Sequence, residues 1–594
     1  MSTLSRELDF QLHECLQIEL LTHRDRYSGQ SRKDYESILS AAERLAKDFF
    51  APHYAKGDAN EPQFVDGTVR TIPETGIAWR GFAEAGFLSA HWDAEEGGIQ
   101  LPEPLFRAAM AHFFAANAAT MGYPFLSIGA ANLLRTFGSE ELKRQYLPAM
   151  ANGESAGTMA LTEPGQGSAL GDIKTMAEPA EDGSYRITGH KMFISGGDQD
   201  FTGNIVHMVL ARIKGAPAGV KGISLFLVPK FLLRSDGSTG ERNDVALAGL
   251  LHKMGWRNTT STILSFGEKG GAIGWLLGEP HRGLAHMFQL MNEARIGVGL
   301  IAACLAYRGF AESLAYARER PQGRLPSCKD PLSPQVKIIE HADVKRLLLT
   351  QKVYAEGALA LCLQASAWFE DQQTHPDSES RELAGHLLDL LTPVVKSWSS
   401  RYGCRSNDMA IQVLGGSGYT REYPLEQLYR DQRLNPIHEG TEAIHGLDLL
   451  GRKVRLGDGV GLRAFLGMVR KEADGVVEPL KASASALLRS VDGLEAVTGK
   501  LLAAQFSQPD IALANATEYL DAFGRVTLAW IWLKQARVAH RALEAGADAA
   551  NYYRGKLQAA RHYFEVELPQ VHTQFELLAS MQTTTLEMKD EFFL

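Results

Sequence analysis

Apolar residues recur at helical spacing through most of the chain, and one internal stretch breaks that rhythm. Up to about residue 158, segments such as DYESILSAAERLAKDFFAPHYAK and EPLFRAAMAHFFAANAATMGYPFLSIGAANLLRTFG place them on one helical face. Glycine and proline clusters such as DAEEGGIQLPEP interrupt these runs. Near residue 159 the texture changes. YRITGHKMFISGG, NIVHMVLARI, GISLFLVPKF and STILSFGEKGGAIGWLLG are short and rich in β-branched and aromatic residues. Turn residues divide them, which predicts a small sheet or barrel. From about 280, long helical patterns return in GLAHMFQLMNEARIGVGLIAACLAYRGFAESLAYARER and VKRLLLTQKVYAEGALALCLQASAWFEDQ. A last helical block follows GRKVRLGDGVG and includes ATEYLDAFGRVTLAWIWLKQARVAHRALEAG. The predicted order is α, β, α, α, over residues 1–158, 159–279, 280–454 and 455–594, with no internal repeat and no low-complexity tract.

Composition narrows the function classes. The 594 residues suffice for several sizeable cores. Hydrophobic residues make up 45% and charged residues 22%, the balance of a soluble globular chain. A net charge of −9 argues against nucleic acid as a partner, so an anionic ligand must find local positive groups. Cys15, Cys304, Cys328, Cys362 and Cys404 are scattered, which fits a reducing compartment and neither a disulfide framework nor a zinc spacing. MSTLSRELDFQLHECLQIEL has early acidic residues and no apolar signal core. No apolar run approaches the ~20 residues that span a bilayer, and IGVGLIAACLAY reads as a buried helix. The expected location is cytoplasmic, without a membrane span.

Four segments carry candidate chemistry. TEPGQGSALG is glycine-rich, but such loops are turns more often than phosphate sites, and it lacks the GxGxxG spacing of a Rossmann site. In MNEARIGVGLIAACLAYRGFAESLAYARERPQGR, Arg295 opens an apolar helix, with Arg318, Arg320 and Arg324 at its far end. Those cations either favour a helix C-terminus or stand ready for phosphates. IQVLGGSGY has a double glycine after a helical stretch. A helix C-cap explains one of Gly415 and Gly416, and a second glycine suggests close approach of backbone to something flat or bulky. In LNPIHEGTEAIHGLDLLG, Glu439 falls on a break between helical patterns, where it is a loop charge, a metal ligand or a base. The metal reading is weak, because HEGTE is not HExxH and the single pair Glu442 and His445 lacks the second set a di-iron site needs.

Taken in order, LTEPGQGS, HKMFIS, NEARIGVG, YARERPQGR, QVLGGSGY and EGTEAIHGLDLLGRK resemble the acyl-CoA dehydrogenase family over roughly residues 40–455. The length and the last helical block are similar to its large bacterial subgroup, which includes 3-methylmercaptopropionyl-CoA and fatty acyl-CoA dehydrogenases. The resemblance implies an α+β architecture: an N-terminal α-helical domain, a middle β-barrel and a C-terminal four-helix bundle, with FAD between them. The additional C-terminal α-helical domain follows. It also implies oxidation of an acyl-CoA to a trans-2-enoyl-CoA, with electrons passed to an electron-transferring flavoprotein, in a homodimer.

Roles carry over position by position. Glu439 matches the catalytic base, whose own backbone N–H polarises the thioester carbonyl in the family, and Gly440 matches a substrate-binding position. Thr441 matches a flavin contact at a helix start. Leu161, Thr162, Gly167 and Ser168 match the flavin loop, with Ser168 shared with the CoA side. Phe193 and Ser195 match the positions beside the isoalloxazine ring. Arg320, Gln412, Gly415 and Gly416 match those that bind the FAD pyrophosphate and adenosine across a dimer interface, and Asn292 and Arg295 lie near CoA and the base. The chain departs from the family pattern at Ala169, where an aspartate is usual, at Phe193 in place of tryptophan, at Pro321–Gly323 and at Ala443. His438, beside the base, reads as a packing residue. Fatty acyl-CoA is the leading substrate and 3-methylmercaptopropionyl-CoA the alternative. A non-catalytic flavoprotein scaffold is the reading from another class.

Overall fold

The β-rich stretch closes on itself. In the computed structural model, which describes residues 3–594 (side chains of 288–291 excepted), a long helix α1 (Glu103–Phe137) precedes eight strands of one sheet. They are β1 (Ser155–Ala160), β2 (Met176–Pro179), β3 (Tyr185–Ser195), β4 (Asn204–Ile213), β5 (Ile223–Pro229), β6 (Val245–Leu250), β7 (Ser261–Phe266) and β8 (Ala272–Leu277). Pairing runs β3–β8–β5–β4, and β2 joins β4 back to β3, so five strands form a ring. β7 and then β6 extend from β3, and β1 pairs parallel with β4.

The largely apolar stretch NIVHMVLARI, interrupted by His207, follows from burial on both faces of β4. Val209 and Ala211 face an interior cluster with Ile187, Ile194, Phe226 and Phe266. Met208 and Leu210 pack outward with Leu133, Leu134, Tyr146 and Leu147 of the preceding helices. α1 is broken at Asn117, whose backbone leaves the helical region. The Asn117 side chain mends the break by donating to the Phe50 carbonyl and accepting from the Thr120 N–H, both at 3.1 Å.

Helix α2 (Gly283–Glu319) contains the apolar run that sequence reads as a buried helix, and 83% of its most apolar window lies inside the protein. Arg295 sits well inside α2 rather than at its start, because GLAHMFQLMNEA is helical as well. Helices α3 (Ala342–Thr374) and α4 (Ser378–Leu414) are joined by His375–Asp377 alone, a connection that sets neighbours antiparallel. After α5 (Leu425–Gln432) and α6 (Glu442–Gly451), the last block brings α7 (Lys481–Gln505) and α8 (Ala516–Glu544).

α8 is buried on nearly every side between Tyr519 and Leu533, because it lies in a core rather than on a surface. Its Trp530 stacks on Trp368 of α3, ring centroids 6.0 Å apart. Its Asp521 accepts the Tyr402 hydroxyl of α4 at 2.9 Å. By contacts the chain resolves into two units: Glu36–Pro102 with His112–Ala294, and Met1–Tyr35 with Glu103–Ala111 and Arg295–Leu594. The final helical block is therefore built into the second unit.

Candidate active site

Between α5 and α6 the backbone makes a turn that ordinary residues avoid. α5 ends at Gln432, earlier than Pro436, as the restriction of pre-proline backbone favours. Glu439 holds φ = +53° and Gly440 φ = +95°. A non-glycine residue in that region stores about 1–3 kcal/mol of strain, which surrounding structure must offset. Thr441 then N-caps α6 with extended backbone, and its hydroxyl makes no capping bond. Glycine is required at 440: a Cβ there would stand 2.9 Å from His445 Nε2.

The charges around this turn are unequal in their pairing. Arg295 Nη1 donates to Asp448 of α6 at 2.9 Å, and Asp448 also takes Arg452. Lys396, fully buried on α4, donates to the Gly440 carbonyl at 2.6 Å. Glu439 keeps some accessible area, yet protein surrounds it closely enough for desolvation to dominate. Burial raises its carboxyl above the usual range, against the pull of Lys396 and Arg295. Burial pushes Lys396 down to about 7, against the pull of Glu439 and Glu442. Burial, reinforced by Lys396, drives His438 down to about 3. His438 is thus a neutral group that meets Asn435 Oδ1 at 3.2 Å. His445 is held well below its ordinary value by burial, Arg295 and Lys396. It lies against the turn with no well-formed hydrogen bond to either ring nitrogen.

The other unit carries the glycine-rich loop. Glu163 ties its ends together, accepting from the Lys174 and Thr175 N–H groups and from Lys191 Nζ at 2.8 Å. Lys191 also donates to the Leu161 carbonyl at 2.9 Å, and Met192 N–H to the Thr162 carbonyl at 2.9 Å. Burial opposes ionisation of Glu163, but Lys191 and the N–H donors outweigh it and hold the carboxyl below its usual range. Beyond this anchor, Gly167 and Ser168 are exposed, with open space where a Gly167 Cβ would be.

Phe193 owes its position to a bulge. Lys191 pairs with Leu264 and Ile194 with Thr262, so Met192 and Phe193 together oppose Ile263. The extra residue puts Lys191 and Ile194 both inside and turns Phe193 out at φ = +60°, with 62% of its surface exposed. Ser195 ends the strand beside Ser261.

Of the residues singled out by sequence, Arg295, Glu439, Gly440 and Thr441 come together around the turn. Leu161, Thr162, Phe193 and Ser195 gather around the loop and bulge. Arg320, just past α2, and Gln412, Gly415 and Gly416, at the end of α4, are exposed. The ends of α2 and α4 are joined by Tyr316 Oη on Ser417 Oγ at 3.3 Å. Gly415 is the C-cap of α4 at φ = +58°, and neither glycine has a neighbour where a Cβ would stand. Asn292 is half-buried in α2. Periodicity had passed over Glu163, Lys191, Lys396 and Asp448. A lone lysine in the apolar run LLTPVVKSW was the one visible signal among them.

The acyl-CoA dehydrogenase N-terminal, middle and C-terminal domain families match residues 32–154, 158–267 and 281–454, and an acetyl-CoA dehydrogenase C-terminal-like family matches 465–589. The chain is 35% identical to the broad-specificity linear acyl-CoA dehydrogenase FadE5 of Mycobacterium tuberculosis, over 99% of both chains. The chain belongs to the acyl-CoA dehydrogenase family. It is also 34% identical to the 3-methylmercaptopropionyl-CoA dehydrogenase of Ruegeria pomeroyi, over 88% of each. The fold is that of Caenorhabditis elegans ACDH-11 in complex with C11-CoA, with a TM-score of 0.73 at 20% identity, over 95% of this chain and 90% of that one. A Bacillus anthracis acyl-CoA dehydrogenase complexed with FAD gives 0.73 at 22%, with the same coverage.

Acyl-CoA dehydrogenases are FAD enzymes, and the residues here fit that group. An aromatic ring is held outward by a bulge, bare glycine backbone faces open space at Gly167, Gly415 and Gly416, and the Thr441 hydroxyl is uncommitted at a helix start where N–H groups favour phosphate.

Proposed function

We propose that the protein oxidises a fatty acyl-CoA to the trans-2-enoyl-CoA, with Glu439 as the base. The carrying observation is Glu439 itself: a carboxyl on a strained turn, desolvated, and attracted by two buried cations, Lys396 and Arg295. An α-proton beside a thioester is weakly acidic, so its acceptor must be close, oriented and short of water. Desolvation makes the ionised carboxylate a stronger base, and general-base catalysis is worth about 10²–10⁴-fold. In this reading the N–H of Glu439 donates to the thioester carbonyl, which stabilises the enolate character that develops as the proton leaves. Two hydrogens leave the substrate, the α-hydrogen as a proton to the Glu439 carboxylate and the β-hydrogen as hydride. FAD, when bound, supplies the hydride acceptor.

The loop pinned by Glu163 and Lys191 presents Leu161, Thr162, Gly167 and Ser168 to the flavin, and Ser168 also to CoA. Phe193 covers the ring and Ser195 hydrogen-bonds its edge, while Thr441 meets it from the start of α6. Arg320, Gln412, Gly415 and Gly416 hold pyrophosphate and adenosine of the second protomer's FAD in a homodimer, which their exposure in one chain supports. Asn292, Arg295 and Gly440 contact the acyl-CoA. Electrons pass on to an electron-transferring flavoprotein.

The test is anaerobic bleaching of the flavin by saturated acyl-CoAs of graded length, with 3-methylmercaptopropionyl-CoA in the same panel. Linear acyl-CoAs are expected to bleach fastest. Faster bleaching by the sulfur substrate would favour the second reading, which the Ruegeria relative supports. Glu439→Gln is expected to keep FAD and bind acyl-CoA without bleaching, and normal bleaching would assign the base elsewhere.

A further inference from the structure

Arg295 is matched by Asp448, and Arg401 of α4 approaches Glu442 at 3.6 Å. Lys396 is different. It is fully buried, and among the described residues no carboxylate lies within ion-pair distance of it. Its hydrogen bond goes to a neutral carbonyl, that of Gly440, the residue that completes the strained turn. A buried cation without a contact ion is costly. This one spends its donor on the backbone beside the base.

We propose that Lys396 is a positioning residue for the reaction: from α4 it fastens the Glu439–Gly440 turn and supplies the buried positive charge that favours the ionised form of Glu439. The proposal rests on the reading of Glu439 as the base. Two constraints meet at one atom. The Nζ–O bond of 2.6 Å sets where Gly440 lies, and so holds Glu439 at positive φ. The charge acts on the Glu439 carboxylate through a desolvated interior, where Coulomb attraction is stronger than in water. The groups facing Lys396 are consistent with this. Glu439 and Glu442 attract it, and Arg295, already paired, repels it. His438 and His445 are kept neutral by burial and by Lys396. Asp448 is engaged by Arg295 and Arg452, and Arg401, on the same helix, is turned toward Glu442 and Asp521. Glu439 is therefore the carboxylate left for the charge of Lys396 to serve.

The experiment compares flavin-loaded wild type with Lys396→Gln, Lys396→Met and Glu439→Gln. Each is bleached anaerobically across pH with the acyl-CoA that reduces wild type fastest. Lys396→Gln keeps a donor and loses the charge, and its acid limb is expected to move up by about one pH unit, equivalent to about a tenfold loss of rate below that limb. Lys396→Met loses both, and its rate is expected to stay at least about tenfold low even on the alkaline plateau, for want of turn geometry. A Lys396→Gln profile that superimposes on wild type would overturn the proposal, while an inert Glu439→Gln would leave the base reading standing. Normal bleaching by Glu439→Gln would remove both. Should neither lysine variant fold, infrared difference spectra between wild type and Glu439→Gln decide the matter. An ionised carboxylate at neutral pH supports the proposal, and a protonated carboxyl band overturns it.

Discussion

A single methyl group added at Gly446 tests whether the last helical block holds the turn of the proposed base. Gly446 lies on α6, which begins three residues after Glu439, and faces the first residues of α8. A Cβ there would stand 2.6 Å from the Ala516 carbonyl oxygen, 2.7 Å from its carbon and 2.9 Å from Thr517 N. All three are backbone atoms at a helix start, so no side chain can swing away. Comfortable carbon contacts need about 3.5 Å, so α6 must recede by roughly 1 Å. Overpacking of this kind costs about 1–3 kcal/mol. A displacement of about 1 Å at a reacting group costs about 10²-fold in rate. Gly446→Ala is therefore expected to melt earlier and to bleach its flavin about a hundredfold more slowly, with FAD still bound. Gly451→Ala, at the end of the same helix, is the control. Its Cβ would meet only the Leu513 side chain at 3.7 Å, and alanine is the better helix residue by about 1 kcal/mol. If Gly446→Ala bleached and melted like wild type, α6 would not be clamped on α8, and the last block would not support the base.

Two further outcomes follow from the charges. Because Glu439's carboxyl lies above its ordinary value in the folded protein, the folded state binds that proton more tightly than the unfolded one. Its stabilising effect is present below the ordinary carboxylate value and lost as pH rises through the raised one. Glu439→Gln should thus melt later than wild type near neutrality, with the advantage fading in acid, as a pH series of melting curves would register. An advantage that grew in acid would contradict the sign. Lys191→Met leaves Glu163 charged, buried and without its cation, a loss of about 3–5 kcal/mol for a broken buried pair. It also frees the Leu161 carbonyl, so flavin absorbance per mole of protein should fall on gel filtration, and full retention would show that the loop does not depend on this pair.

The sequence by itself determined the order of the layers and the company of the motifs. Helical spacing and the β-branched runs are local periodicities, so they predict α, β, α, α wherever the chain later packs, and the ordered motifs point to the acyl-CoA dehydrogenase family. The break at Glu439 was legible for the same reason, since a glycine next to a carboxylate between two helical patterns is a local feature. Tertiary structure decided the rest. Phe193 faces outward because β3 pairs with β7 one residue out of step, and nothing within HKMFIS specifies its partner strand. Lys396 meets Gly440 across 44 positions of chain, which turns an odd lysine in an apolar run into a contact of the Glu439–Gly440 turn. The last block was legible as helices, but its place beside α6 depends on Gly446 and Ala516 meeting backbone to backbone. Period reports which face of an element is buried, and only packing decides what that face is buried against.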